Sequence, residues 1–171
     1  MNLAQLLEIM PCARQRATVF YKPLVDAMGE FEINTIPRQA SFLAQVAHES
    51  AQLRYVRELA PGTAYENRRD LGNVMPGDGV RFKGRGLLQV TGRTNYKACG
   101  RALGLDLITR PELLELPANA CRSAAWFWKE HGLNELADEG DQTKICRRIN
   151  GGYNGLADRM ALYARAMDVL V

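Results

Sequence analysis

The chain has 171 residues, 47% of them apolar and 24% charged, with a net charge of +3. That suits one globular domain, 1–171, and argues against disorder or a second full domain. No run approaches the roughly 18 apolar residues a membrane span needs, so stable membrane insertion is not expected. The mild basic excess is too small to predict a nucleic-acid partner on its own.

The N-terminus, Met1-Asn2-Leu3-Ala4-Gln5, has no basic stretch followed by an apolar block, so no secretory signal is expected there. Residues 2–9 and 13–28 predict two helices, the second closing at Gly29. A clearer helix follows, with Thr35 as cap, Pro37 in the first turn and apolar residues at Phe42, Leu43, Val46, Ala47 and Leu53. Residues 64–70 predict one or two turns, and 72–80 an exposed Gly/Pro-rich turn region. Residues 81–91 have strand-like composition broken by Gly84 and Gly86, which predicts a short bent β-hairpin or irregular ribbon. Helical patterns return at about 93–103, 118–131, 141–149 and 156–169, with Gly104, Gly132 and Gly151-Gly152 just past helix ends. The fold class is therefore mainly α with a small β element in the middle.

Cys12, Cys99, Cys121 and Cys146 are widely spaced, without a C-x-x-C pair, and the chain holds only two His. A structural zinc site is not expected, and the cysteines read as buried free thiols. His48-Glu49-Ser50-Ala51-Gln52 is not H-E-x-x-H, which removes the zinc-protease reading. Gly84-Arg85-Gly86 matches neither a dinucleotide fingerprint nor a P-loop, so a nucleotide is not expected either. No metal or organic cofactor is called for.

Glu49 carries the most information. Phe42, Val46, Glu49 and Leu53 are spaced by four, three and four, which puts a carboxylate on an apolar stripe. Such burial suits a general acid, or a carboxylate salt-bridged to one of the arginines. Glu58 follows nine residues later. On one straight helix the two would stand about 13.5 Å apart along the axis, whereas carboxylates that invert a glycosidic centre stand roughly 6.5–9.5 Å apart. The pair works together only if the chain bends between them; otherwise Glu58 pairs with Arg54 or Arg57. Alternation puts Gln89 and Thr91 on one face, offering an amide and a hydroxyl to a sugar or a held water. Asn150 and Asn154 flank a turn, where they could also hydrogen-bond a polar ligand. Trp126-Phe127-Trp128 has the spacing of core packing rather than a sugar-stacking platform.

Taken together, Phe42-Leu43-Ala44-Gln45-Val46-Ala47-His48-Glu49-Ser50, Arg57-Glu58-Leu59-Ala60, Phe82 to Thr91, Ala125-Trp126-Phe127-Trp128 and Ile149-Asn150-Gly151-Gly152 with Ala157-Asp158-Arg159 resemble family 19 glycoside hydrolases, in their small bacteriophage-type endolysin branch. The resemblance implies a lysozyme-like, two-lobed helical domain and an inverting reaction. By motif, Glu49 corresponds to the general acid and Glu58 to the general base. Thr91 falls where a hydroxyl holds the water, Gln89 and Asn150 fall at substrate-binding positions, and Arg159 lies near the acid. The implied substrate is the β-1,4 glycan of bacterial peptidoglycan, cut by a monomer without a separate wall-binding module. The implied setting is synthesis in the host cytoplasm and lysis once the membrane is permeabilised. A chitinase is the alternative enzyme, and a small basic nucleic-acid-binding helical protein the alternative of another class.

Overall fold

The computed structural model describes residues 1–171 and contains nine α-helices: α1 (Leu3–Ile9), α2 (Gln15–Glu30), α3 (Ile36–Glu49), α4 (Asp78–Arg81), α5 (Arg93–Leu103), α6 (Pro117–Glu130), α7 (Leu133–Asp138), α8 (Gln142–Asn150) and α9 (Leu156–Leu170). Short 3-10 turns lie at Thr63–Tyr65, Arg69–Leu71 and Pro111–Glu115. No helix is long and apolar enough to cross a membrane.

Local chemistry sets several boundaries. Asn2 and Gln5 form a reciprocal capping box at the start of α1. Thr35 accepts from the Arg38 amide, and Pro37 sits where its missing N–H costs nothing. Asp141 caps α8 through the Lys144 amide. Gly104 and Gly151 close α5 and α8 in the left-handed region, where a side chain would be strained.

Two apolar cores organise the chain. The larger packs α3 against α9 and α2 against α6, around Phe42, Leu43, Val46, Trp128 and Leu162. Phe42 meets Trp128 edge to face, with ring centroids 5.5 Å apart. The smaller core gathers Phe82, Val90, Tyr96, Cys99, Leu103, Leu107, Leu114 and Trp126. Gln89 sits between Leu88 of the larger core and Val90 of the smaller, at the junction of two lobes.

Three expectations need correction. Residues 81–91 are the irregular ribbon rather than the hairpin, with two isolated antiparallel bridges, Arg57 to Arg85 and Arg85 to Val90. Gly86 (φ 85) and Gln89 (φ 58) turn the backbone out of the extended region, so no strand can propagate. The 72–80 region is not simply an exposed turn. Asp78, only 1% exposed, opens α4 and binds Arg93. Gly132 lies just past α6, as expected, and α7 follows directly from it, a helix too short for its periodicity to signal. Cys12 is an exposed thiol, while Cys99, Cys121 and Cys146 are buried and free.

Candidate active site

Helix α3 delivers Glu49 as its last residue, and Phe42 and Val46 on the same stripe are fully buried. The helix then stops abruptly. Ala51, Gln52 and Leu53 all have positive φ (48°, 56° and 66°), a full left-handed turn built from L-residues. Two devices hold it. The Ser50 hydroxyl donates to the Val46 carbonyl at 2.6 Å and accepts from the Leu53 amide at 2.8 Å. Leu53, 1% exposed, is driven into the core although it lies beyond the helix. This turn reverses the chain and makes the bend that the spacing of Glu49 and Glu58 demands.

After the turn the chain runs against the 84–86 segment. The Gly86 amide donates to the Val56 carbonyl at 2.8 Å, and the Glu58 amide donates to the Gly84 carbonyl at 3.0 Å. Glu49, Glu58 and Gln89, with Tyr55, Arg57 and Leu59, therefore line one cavity of about 260 Å³.

The two carboxylates are held differently. Glu49 Oε1 accepts from Arg159 Nη2 at 2.5 Å. Arg159 is itself 3% exposed; its Nη1 donates to Gln45 Oε1 and its Nε to the Asn154 carbonyl at 3.2 Å. Glu58 Oε2 accepts from the Gly84 amide at 3.0 Å and from the Tyr65 hydroxyl at 3.1 Å. Glu58 Oε1 is buried and has no partner within the protein. Glu58 makes no salt bridge with Arg54 or Arg57; Arg57 lies 3.6 Å from Glu115 instead. Burial, and then the neighbouring Glu58, push the Tyr65 phenol above its ordinary pKa, so it stays a proton donor throughout the neutral range.

Gly84 makes the arrangement possible. A Cβ there would meet Glu58 Oε2 at 2.7 Å and would overlap Gln89 Oε1. Arg85 braces the floor from below, with Nε donating to Glu115 Oε1 at 2.8 Å and Nη1 to the Tyr96 hydroxyl at 3.0 Å.

The remaining anticipated residues fall around this centre. Thr91 donates to the Gln89 carbonyl at 3.2 Å and lines the adjoining cavity, with Trp126, Phe127 and His131. Gln89 lines both cavities and so links Thr91 to the glutamates. Asn150 does not reach the glutamate cavity. Its amide is used in the turn, donating to the Asn154 carbonyl at 2.9 Å and accepting from the Gly152 amide at 2.8 Å. That same Asn154 carbonyl also receives Arg159. Asn150 is thus connected to Glu49 through backbone and guanidinium. Sequence reasoning missed Tyr65 and Gln45. Tyr65 sits in an irregular loop with no periodicity to mark it, whereas Gln45 carried a signal, a polar residue on the buried stripe of α3. No cluster of three or more His, Cys, Asp or Glu side chains forms a metal site.

Residues 32–137 match the family model described as chitinase class I, of glycoside hydrolase family 19. A Haemophilus influenzae protein described as glycosyl hydrolase family 19 domain-containing is 34% identical over 76% of this chain and 78% of its own length. An endochitinase of Arabidopsis thaliana is 37% identical over 66% of this chain; the chain spans 38% of that larger protein. Chitinase C from Streptomyces griseus superposes with a TM-score of 0.82 at 25% identity, covering 99% of this chain and 76% of that one. A bacterial family 19 chitinase superposes at 0.81 and 25% identity, covering 99% and 94%. The chain belongs to glycoside hydrolase family 19.

Proposed function

We propose that this family 19 hydrolase cuts β-1,4 bonds of bacterial peptidoglycan with inversion, and that it is an endolysin of bacteriophage type. The observation that carries the reading is the shared cavity of Glu49 and Glu58, in which each carboxylate has one oxygen anchored and one oxygen uncommitted.

The division of labour follows from those anchors. With Oε1 of Glu49 taken by Arg159, the proton of the acid form sits on Oε2, from which it passes to the glycosidic oxygen as the bond to the anomeric carbon breaks. Glu58 Oε2 is fixed by two donors, and Oε1 takes the proton from a water that attacks the opposite face of the sugar. The product is a hemiacetal of inverted configuration. Gln89 and Thr91 orient the sugar or the water beside the base, and Asn150 acts through the turn that supports Arg159.

The peptidoglycan assignment is supported by a solvent-exposed rim. Leu59 is 79% exposed, and Arg57 and Ala60 are also exposed. Such a rim leaves room for a glycan that carries a peptide on alternate sugars. The enzyme would be made in the host cytoplasm, work as a monomer without a cofactor, and lyse the cell once the membrane is breached. The relatives named as chitinases favour chitin as the second reading.

The test is parallel digestion of purified peptidoglycan and chitin oligomers, with mass spectrometry of the new reducing end and NMR of fresh products. Release of wall fragments as α anomers is expected. Cleavage of chitin alone would overturn the substrate, and β anomers or anhydro ends would overturn the inverting hydrolysis.

A further inference from the structure

Beside the glutamate cavity lies a larger one, about 720 Å³, that the reaction does not use. Arg14, Arg16, Arg54 and His48 line it, together with Cys12 and a single carboxylate, Asp158. His48 Nδ1 and Asp158 Oδ2 are 2.6 Å apart, so that carboxylate is already engaged. None of the three arginines forms a salt bridge, although eleven of the other nineteen arginines and lysines, such as Arg38, Arg93 and Arg122, find acidic partners. Arg16 donates from Nη2 to the Cys12 carbonyl at 2.8 Å, but its Nε is buried without a partner.

The local backbone is equally unbalanced. Arg14 occupies the position before the first turn of α2 with φ 49° and ψ −123° and gives no side-chain cap, and no acidic residue follows in that turn. A cation at a helix N-terminus and a strained backbone are both unfavourable in the free protein. An anion seated among these groups relieves the repulsion and satisfies the unpaired N–H.

The position of the cavity identifies the anion. His48 faces this cavity and Glu49 the catalytic one; Arg54 faces this cavity and Tyr55 the other. The two linings share no residue but meet along the chain at His48–Glu49 and at Arg54–Tyr55, so the two cavities are neighbours. A charged substituent on a sugar bound over Glu49 would find its cationic neighbour in the arginine cavity. Chitin, uncharged apart from occasional free amines, offers nothing to it.

We infer that this cavity binds the carboxylates of the peptide stem of peptidoglycan and so selects peptide-bearing glycan over bare glycan; the inference rests on the substrate proposed above. Cys12, the only exposed thiol, supplies a readout independent of catalysis. An isolated stem peptide is expected to slow modification of Cys12 by a neutral maleimide several-fold in the wild type. It should do so far less in the Arg14→Gln/Arg16→Gln/Arg54→Gln protein. The same protein should show KM raised roughly tenfold on intact peptidoglycan and unchanged on amidase-stripped strands or chitin oligomers. Arg54→Gln alone, at an exposed position, gives a smaller change in the same direction and guards against misfolding of the triple variant. Absence of protection by peptide, an equal KM rise on stripped strands, or stronger protection by glycerol phosphate than by peptide would each overturn the assignment. Wild type that is protected by peptide yet cuts only chitin would sink the substrate proposal and leave peptide binding standing.

Discussion

Arg159 and Glu49, 110 residues apart, meet where α9 packs on α3, with Nη2 2.5 Å from Oε1. The guanidinium is almost fully buried, and its other nitrogens hold Gln45 and the Asn154 carbonyl. It is a bolt between the acid, the core helix and the turn after α8. Lys carries the charge but cannot make three directed bonds. Arg159→Lys is expected to destabilise the fold by roughly 2–4 kcal/mol, read as a lower melting temperature. Where it remains folded, it should lower kcat more than it raises KM. Near-wild-type kcat would show that Glu49 needs no such support.

Glu49→Gln keeps the hydrogen bond from Arg159 but has no proton to give. Loss of about two to four orders of magnitude in kcat is expected with an unchanged circular dichroism spectrum. Glu58→Gln should fall comparably, because an amide cannot take the proton of the attacking water. Tyr65→Phe removes one of two donors to Glu58 and should cost far less, about tenfold.

Gly84→Ala separates chemistry from folding. Gly84 does not lie at positive φ, so a methyl there strains no backbone torsion. The atoms it meets are the ends of Glu58 and Gln89, which can swing aside. Stability should drop by no more than about 1–2 kcal/mol while activity collapses, since the base and its neighbour are pushed out of place. A stable variant of normal activity would refute the close approach as a requirement.

Acid should attack the smaller lobe first. Asp78 Oδ2 accepts from the amides of Val74 and Met75 and from Arg93 Nε, while Oδ1 accepts from Arg93 Nη2 at 2.6 Å. The Arg93 hydrogen bonds hold this carboxyl below the usual carboxylate range, against the opposing effect of its burial. A group with a depressed native pKa stabilises the fold at pH values above its unfolded pKa, near 4, and that stability is lost as pH falls through the native value. Asp78→Asn should therefore lower the melting temperature at neutral pH and flatten its fall below about pH 4. An identical acid dependence in both proteins would exclude this pair as the cause.

Much of the helical frame is visible in the sequence because it rests on local rules. Thr35-Ile36-Pro37 announces the start of α3, and the Phe42–Val46–Glu49 stripe places the acid at the edge of the core. The bend that brings Glu58 alongside is not visible. It is made by Ala51-Gln52-Leu53, none of which is a glycine; its support comes from local bonds of the Ser50 hydroxyl, which no sequence pattern announces, and from burial of Leu53, a tertiary effect. Gly84 and Gly86 do mark close approach, but toward Glu58, Gln89 and Ser123 of the same chain. The Arg159 contact pairs two helices far apart in sequence, and only the family resemblance pointed to it.

The left-handed turn after α3 has a further consequence. Glu49 and Glu58 are both delivered by a single excursion of ten residues, 49–58, shaped from within by Ser50 and held from without by Arg159, Gly84 and Tyr65. Walls beyond those contacts can be reshaped for a different polysaccharide without changing the spacing of the two carboxylates.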